Sequence, residues 1–259
     1  MKLQDKVVLI TGGGTGIGRE IARLFAQNGA KVIICGRRER ELSATADGIL
    51  AQGLFCAYFT CDISSEDRVK DMFMRIGEEF AGLDILVNNA SVVGQIAPVD
   101  QLDISQWEEA LHINLTGTVI CCREAMRIMK AQNGGNIINV SSNVGKRGSR
   151  NRSPYVCSKW AMNGLTQTIA LEGAAFGVRC NAICPGPVMT ERLEGSIKRQ
   201  SAVRAIAESE LIAEWKAESP MGRFATKEEC ARVAMFLASD DSSAMTGQAL
   251  NVTAGVIMH

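Results

Sequence analysis

The stretch KVVLITGGGTGIG, Lys6 to Gly18, decides how the rest of the chain is read. Val7 to Ile10 form an apolar run that breaks into glycines. The residues that follow place Ile17, Ile21, Leu24 and Phe25 on one helical face and stop at Asn28 and Gly29. A strand that turns through glycines straight into a helix is the setting of a loop that cradles phosphates. Gly12 suits a tight turn, Gly16 lets the backbone approach a pyrophosphate, and Gly18 permits close packing of the helix start. The helix N-terminus adds unpaired N–H groups and a partial positive charge. With Gly14, Thr15 and Ile17 these residues are the candidate dinucleotide site.

Outward from this loop, apolar runs of strand length alternate with stretches of helical period, the pattern of a parallel sheet with crossover helices. Strands are expected near 6–11, 31–35, 54–60, 84–88, 136–141, 178–184 and 248–252. Helices fall between them; Val69, Met72, Phe73, Ile76 and Phe80 mark one clear case. The fold class predicted is α/β, a single Rossmann-type doubly wound parallel sheet of about seven strands with helices on both faces. No Pro/Gly/Ser-rich linker, internal repeat or low-complexity tract interrupts the 259 residues, so residues 1–259 read as one domain. The long stretch without a strand signal, 185 to about 226, is charged and partly helical in pattern, and a substrate lid is expected at about 188–220.

The end of the second strand reads Cys35-Gly36-Arg37-Arg38. An NAD site usually places a carboxylate there to meet the ribose hydroxyls. Here two guanidinium groups replace it, and Arg pairs bidentately with a 2′-phosphate. NADP(H) is therefore favoured, with NAD(H) as the alternative.

A second constellation is Tyr155-Val-Cys-Ser-Lys159, thirteen residues after Ser142 at the end of the strand NIINVS. Positions i and i+4 share a helix face, so Tyr155 and Lys159 can enter one cleft. A free phenol has a pKa near 10 and is a poor base at neutral pH. An ammonium nearby favours the phenolate and brings it toward a working range. Ser142 can donate a hydrogen bond to a substrate oxygen whose carbon exchanges hydride with a nicotinamide.

Over essentially its whole length the chain resembles the classical short-chain dehydrogenase/reductase family. TGGGTGIG is similar to that family's TGxxxGxG, Asn88-Asn89-Ala90 to its NNAG, Tyr155 to Lys159 to its YxxxK, and Asn181-Ala-Ile-Cys-Pro-Gly186 to its NxxxPG. The resemblance implies cofactor contacts from Asn89, Ala90, Tyr155, Lys159, Pro185, Gly186, Val188 and Thr190, and from Asp62 with Ile63 near the adenine. It also implies a relay in which Asn114 holds a water that links Lys159 to solvent. Two departures stand out: Ser91 takes the place of the Gly of NNAG, and Thr253 replaces an acid near the C-terminal turn.

Composition narrows the alternatives. Net charge is zero and the pI is about 6.7, so no electrostatic footprint for nucleic acid or an anionic membrane is present. No run reaches the length of a membrane span. Nine scattered cysteines without a CxxC pair, and no secretory signal, fit a reducing cytoplasm. With His112 and His259 as the two histidines, no metal site is expected.

Between Ser142 and Tyr155, Lys146, Arg147, Arg150 and Arg152 crowd a loop that should border the substrate cleft. Ser91, Asn143, Arg150 and Arg152 are the candidate substrate contacts. A small polar substrate such as a polyol, sugar or hydroxy acid fits a charged cleft; side chains turned to solvent or to a neighbouring subunit are the alternative. The expected function is an NAD(P)-dependent secondary alcohol dehydrogenase or ketone reductase. A 3-oxoacyl-thioester reductase and a non-catalytic cofactor-binding regulator are the competing readings, the last disfavoured by the intact Asn114, Ser142, Tyr155 and Lys159. Apolar residues on more than one helix face, Val119, Ile120 and Met126 in one and Trp160, Leu165 and Ile169 in another, point to a homo-oligomer, which the resemblance makes a tetramer or dimer.

Overall fold

The computed structural model describes residues 1–259. Seven strands form one sheet: β1 (Val7–Thr11), β2 (Lys31–Gly36), β3 (Cys56–Thr60), β4 (Ile85–Asn88), β5 (Gly135–Val140), β6 (Val178–Pro185) and β7 (Ala249–Val252). Their order is β3-β2-β1-β4-β5-β6-β7, and every pairing is parallel. Right-handed crossovers are the near-universal way to join parallel neighbours, and the order reverses between β1 and β4. At such a switch point, crossovers leave to opposite sides and a crevice opens at the strand C-termini.

The period of two along β1 shows why the sheet is buried on both sides. Val8 and Ile10 enter one core with α1 (Gly16–Gln27), α2 (Glu39–Leu50) and α9 (Lys227–Ala238). Val7 and Leu9 enter the other with α3 (Glu66–Phe80), α5 (Gly117–Ala131) and α6 (Ser153–Gly173). Phe25 of α1 is fully buried in the first core. Phe25→Ala is expected to cost about 3–5 kcal/mol, lost transfer energy plus the cavity left behind. A urea titration with an unchanged m-value reads this as a lowered midpoint.

The expected strands are all present, with shifted ends. The third begins at Cys56 rather than Leu54, because Gly53 adopts φ +73° in the preceding turn and the Phe55 ring packs edge-on against Phe80 at 5.8 Å. The expected lid segment holds α7 (Glu191–Arg204) and α8 (Glu208–Ala217), and a parallel bridge between Val188 and Ala225 pins its base. Of the apolar residues read as surplus helix surface, Ile120, Met126 and Ile169 belong to the core instead, whereas Val119 and Trp160 are exposed. No helix is long and apolar enough to cross a membrane.

Candidate functional site

The predicted motifs gather at the C-terminal end of the sheet, except that Asn181 lies inside β6. At the end of β1, Gly12 and Gly16 adopt φ +66° and +56°, the left-handed region that favours glycine. A Cβ on Gly18 would lie 2.4 Å from the Asn89 Nδ2 and 2.4 Å from the Gly12 carbonyl oxygen. The close packing expected of Gly18 is thus against the loop itself. Asn89, just past β4, donates from Nδ2 to the carbonyls of Thr11 and Gly12 at 3.0 Å, while its own amide donates to Thr11 Oγ1. Arg19 and Thr45 add bonds to the Gly14 carbonyl, a contribution that local motif reading does not reach.

The Thr15 side chain makes no capping bond at the start of α1, so the first amides of that helix are not claimed by it. They face a groove of about 490 Å³ walled by Gly12, Gly14, Thr15, Gly16, Ile17, Arg37, Arg38, Asp62, Ile63, Asn89 and Ala90. Arg38 is partly engaged, pairing with Glu41 at 3.1 Å and donating to Thr15 Oγ1 at 3.3 Å; Arg37 is exposed and has no ion pair. Asp62 accepts from the amide and hydroxyl of Ser64 through Oδ1. Partial burial pushes its carboxyl up, but these bonds and the charges of Arg37 and Arg68 hold it below the usual range. The positive-φ glycines, the unclaimed helix amides and the cationic end of β2 together fit a nicotinamide dinucleotide.

Next to the groove lies a cleft of about 140 Å³ lined by Ser142, Asn143 and Tyr155. Pro185, Gly186, Val188 and Thr190 also line it, and Ile17, Val93, Thr190 and Arg192 border both spaces. Ser142 sits beyond β5 and heads a tight turn, its Oγ donating to Asn143 Oδ1 at 3.1 Å. Tyr155 and Lys159 occupy successive turns of α6, both buried. Lys159 Nζ stands 5.5 Å from the Tyr155 ring centroid and donates to the Val140 carbonyl at 2.7 Å.

Burial pushes the Tyr155 phenol up, but the charges of Lys159, Arg192 and Arg152, with the Ser142 hydroxyl nearby, outweigh it, so the phenol lies below its ordinary value. Burial lowers the Lys159 ammonium to about 8, against the opposing pull of Tyr155. The charged form of the lysine is the state that stabilises a phenolate. Cys56, Cys122 and Cys230 are pushed up to about 12 by burial and are poor nucleophiles. No group of His, Cys, Asp and Glu could hold a metal ion.

Asn114 lies in a π-helical turn (His112–Thr116) between α4 (Ile104–Leu111) and α5. Its Oδ1 accepts from the Val92 amide at 2.7 Å, and its Nδ2 donates to the Val92 carbonyl and to Ser158 Oγ. Both ends of the side-chain amide are committed. The side chain thus ties the loop after β4 to α6 beside Lys159, and a water held for Lys159 would have to meet the main chain.

The basic loop divides. Arg152 lines the cleft, its guanidinium 4.9 Å from the Tyr155 ring centroid. Arg150, expected there too, is exposed and lines a neighbouring depression instead, because the chain turns through Asn151 at φ +62°. Lys146 reaches the carbonyls of Ala249 and His259, and Arg147 pairs with Glu218 at 2.6 Å. Ser91, also expected at the substrate, lines the dinucleotide groove and bonds to Arg192. Asn143 does line the cleft. Thr253 is buried and closes the last turn by exchanging bonds with Ile257.

A family model described as enoyl-(acyl carrier protein) reductase matches residues 12–257. A 3beta-hydroxysteroid dehydrogenase of Mediterraneibacter gnavus is 37% identical over 257 residues, covering 95% of this chain and 92% of that protein. A D-beta-hydroxybutyrate dehydrogenase of Rhizobium meliloti is 35% identical over 96% of this chain and 98% of its own. Among solved structures, NAD+-bound xylitol dehydrogenase superposes with a TM-score of 0.96 at 31% identity, covering 98% of this chain and 100% of that one. An NADPH complex of actinorhodin polyketide ketoreductase gives 0.93 at 31% identity, covering 97% of each.

Proposed function

The chain belongs to the short-chain dehydrogenase/reductase family and is an NAD(P)-dependent oxidoreductase acting on CH–OH groups; from that premise we propose that Tyr155 is its proton-transfer residue, supported by Lys159 and Ser142. The observation that carries this reading is the cleft itself. It brings the buried phenol of Tyr155 and the hydroxyl of Ser142 against the dinucleotide groove, with the Lys159 charge behind the phenol.

The bound nicotinamide supplies or accepts the hydride at the substrate carbon. In alcohol oxidation Tyr155 takes the hydroxyl proton as hydride leaves the same carbon, and in ketone reduction it returns that proton. Ser142 donates to the substrate oxygen and orients it. Lys159 holds the phenol in its reactive range, and Asn114 acts as a positioning residue through Val92 and Ser158. The glycine loop would hold the pyrophosphate, Asp62 and Ile63 would border the adenine, and Thr190 would border the nicotinamide. α7 and α8 would serve as the lid. A reduced-cofactor consumption screen over polyols, sugars, hydroxy acids and oxo-thioesters, run with both cofactors, tests the reading; absence of turnover on every substrate overturns it.

NADP(H) is the preferred cofactor in this reading, with Arg37 the freer of the two guanidinium groups. A charge-assisted hydrogen bond contributes about 1.5–3 kcal/mol, so Arg37→Ala is expected to raise KM for NADP about 10–100-fold. KM for NAD should stay near its starting value. Equal effects on both cofactors would remove the assignment. Exposed Val119 and Trp160, with Leu171, support a homo-oligomer, and the reading places the enzyme in the cytoplasm.

A further inference from the structure

We propose that the substrate of this cleft carries a carboxylate and that Arg152 is its anchor, with Arg192 as a second cation, so that the enzyme selects short hydroxy and oxo acids over neutral polyols. The inference rests on the dehydrogenase reading of the same site and names its substrate class.

Three arginines, Arg147, Arg152 and Arg192, line the cleft against a single carboxylate, Glu218. Glu218 is already paired with Arg147 at 2.6 Å. Arg152 has no ion pair, and its Nε is sealed from solvent without an acceptor. Its neighbour is the face of Tyr155, a contact worth little beside the desolvation of a cation. Arg152 is half-buried, and this burial without a counter-ion pushes its guanidinium down from its ordinary value. Arg192 uses Nη1 on Ser91, and its Nη2 makes no bond.

Of the charged groups in the cleft, the two without an ion pair, Arg152 and Arg192, are both guanidinium groups. A carboxylate, which only accepts, fits an arginine fork in two parallel bonds. Arg152 stands at the N-terminal boundary of α6, three residues before Tyr155, so an acid held there places a carbinol close to its carboxylate against the phenol. The small cleft volume favours a short substrate over a steroid or a pantetheine arm.

The test uses the full chain and malonate, an unreactive dicarboxylate, against malonamide, its neutral counterpart. Calorimetry on the unaltered protein with cofactor present is expected to show malonate binding at least tenfold tighter; equal affinities overturn the proposal. Arg152→Gln should weaken malonate about 10–100-fold while leaving malonamide unchanged, and Arg152→Lys should recover part of the loss. Unchanged malonate binding in a folded Arg152→Gln protein also overturns it. In turnover, the readout is the ratio of kcat/KM for 3-hydroxybutanoate to that for 3-hydroxybutanamide, which cancels any effect of Arg152 on the Tyr155 phenol. That ratio should exceed ten and collapse toward one in Arg152→Gln. Turnover of neutral alcohols without malonate binding sinks the anchor and leaves the dehydrogenase reading standing. Arg152-dependent malonate binding without turnover of any alcohol does the reverse.

Discussion

Tyr155→Phe is expected to lower turnover by about 10²–10⁴-fold, the range that a positioned acid or base contributes. The substitution removes one oxygen and keeps the ring that packs beneath Arg152, so the fold and the cleft wall persist. Cofactor affinity, measured by fluorescence titration, should change far less than the rate. Near wild-type activity on any substrate would show that the proton travels by another route.

The pH dependence has a definite sign. Oxidation needs the phenolate, so its kcat/KM should rise with pH through an apparent pKa below the ordinary value for tyrosine; reduction needs the phenol and should fall through the same region. Lys159, displaced by burial to about 8, titrates with it, so the observed values belong to the pair. Lys159→Met keeps the buried stem and removes the charge. The oxidation profile should then move to higher pH, whereas a purely structural lysine would lower activity without moving the profile.

The parts of the site that were legible in the sequence are those in which neighbours along the chain make the chemistry. The glycine turn after β1 and the Tyr155–Lys159 spacing on α6 are of this kind, and the structure places both at one end of the sheet. Arg192 meets Ser91 across 101 positions, and Lys146 meets Ala249 across 103. No periodicity reports such pairs. The basic loop shows the consequence: its arginines look equivalent in a row, yet a left-handed residue at Asn151 separates Arg150 from Arg152. The committed side chain of Asn114 has the same origin, since the motif names the residue and the tertiary fold decides which of its atoms are free.

Gly18→Ala is expected to weaken cofactor binding about 10–100-fold, because the free loop relaxes away from an overpacked contact that costs about 1–3 kcal/mol and binding has to restore it. The new methyl would meet Asn89 Nδ2 and the Gly12 carbonyl oxygen, each at 2.4 Å. Displacing Asn89 also breaks its bonds to the Thr11 and Gly12 carbonyls, which shape the loop. The two contacts can be separated. Asn89→Ala clears the side-chain contact but leaves the backbone carbonyl of Gly12 in place, so the double variant should bind cofactor no better than Gly18→Ala. Recovery in the double variant would place the whole effect on Asn89. Gly48→Ala in α2 is the control: nothing lies within 4 Å of its Cβ position, so it should stabilise the helix by about 0.8–1 kcal/mol and leave the cofactor dissociation constant unchanged. Circular dichroism on all four proteins separates loss of the loop from loss of the fold. A Gly18→Ala protein that retains its secondary structure and binds cofactor normally would show that the start of α1 can move away from Asn89, and the close approach seen there would not be a condition of binding.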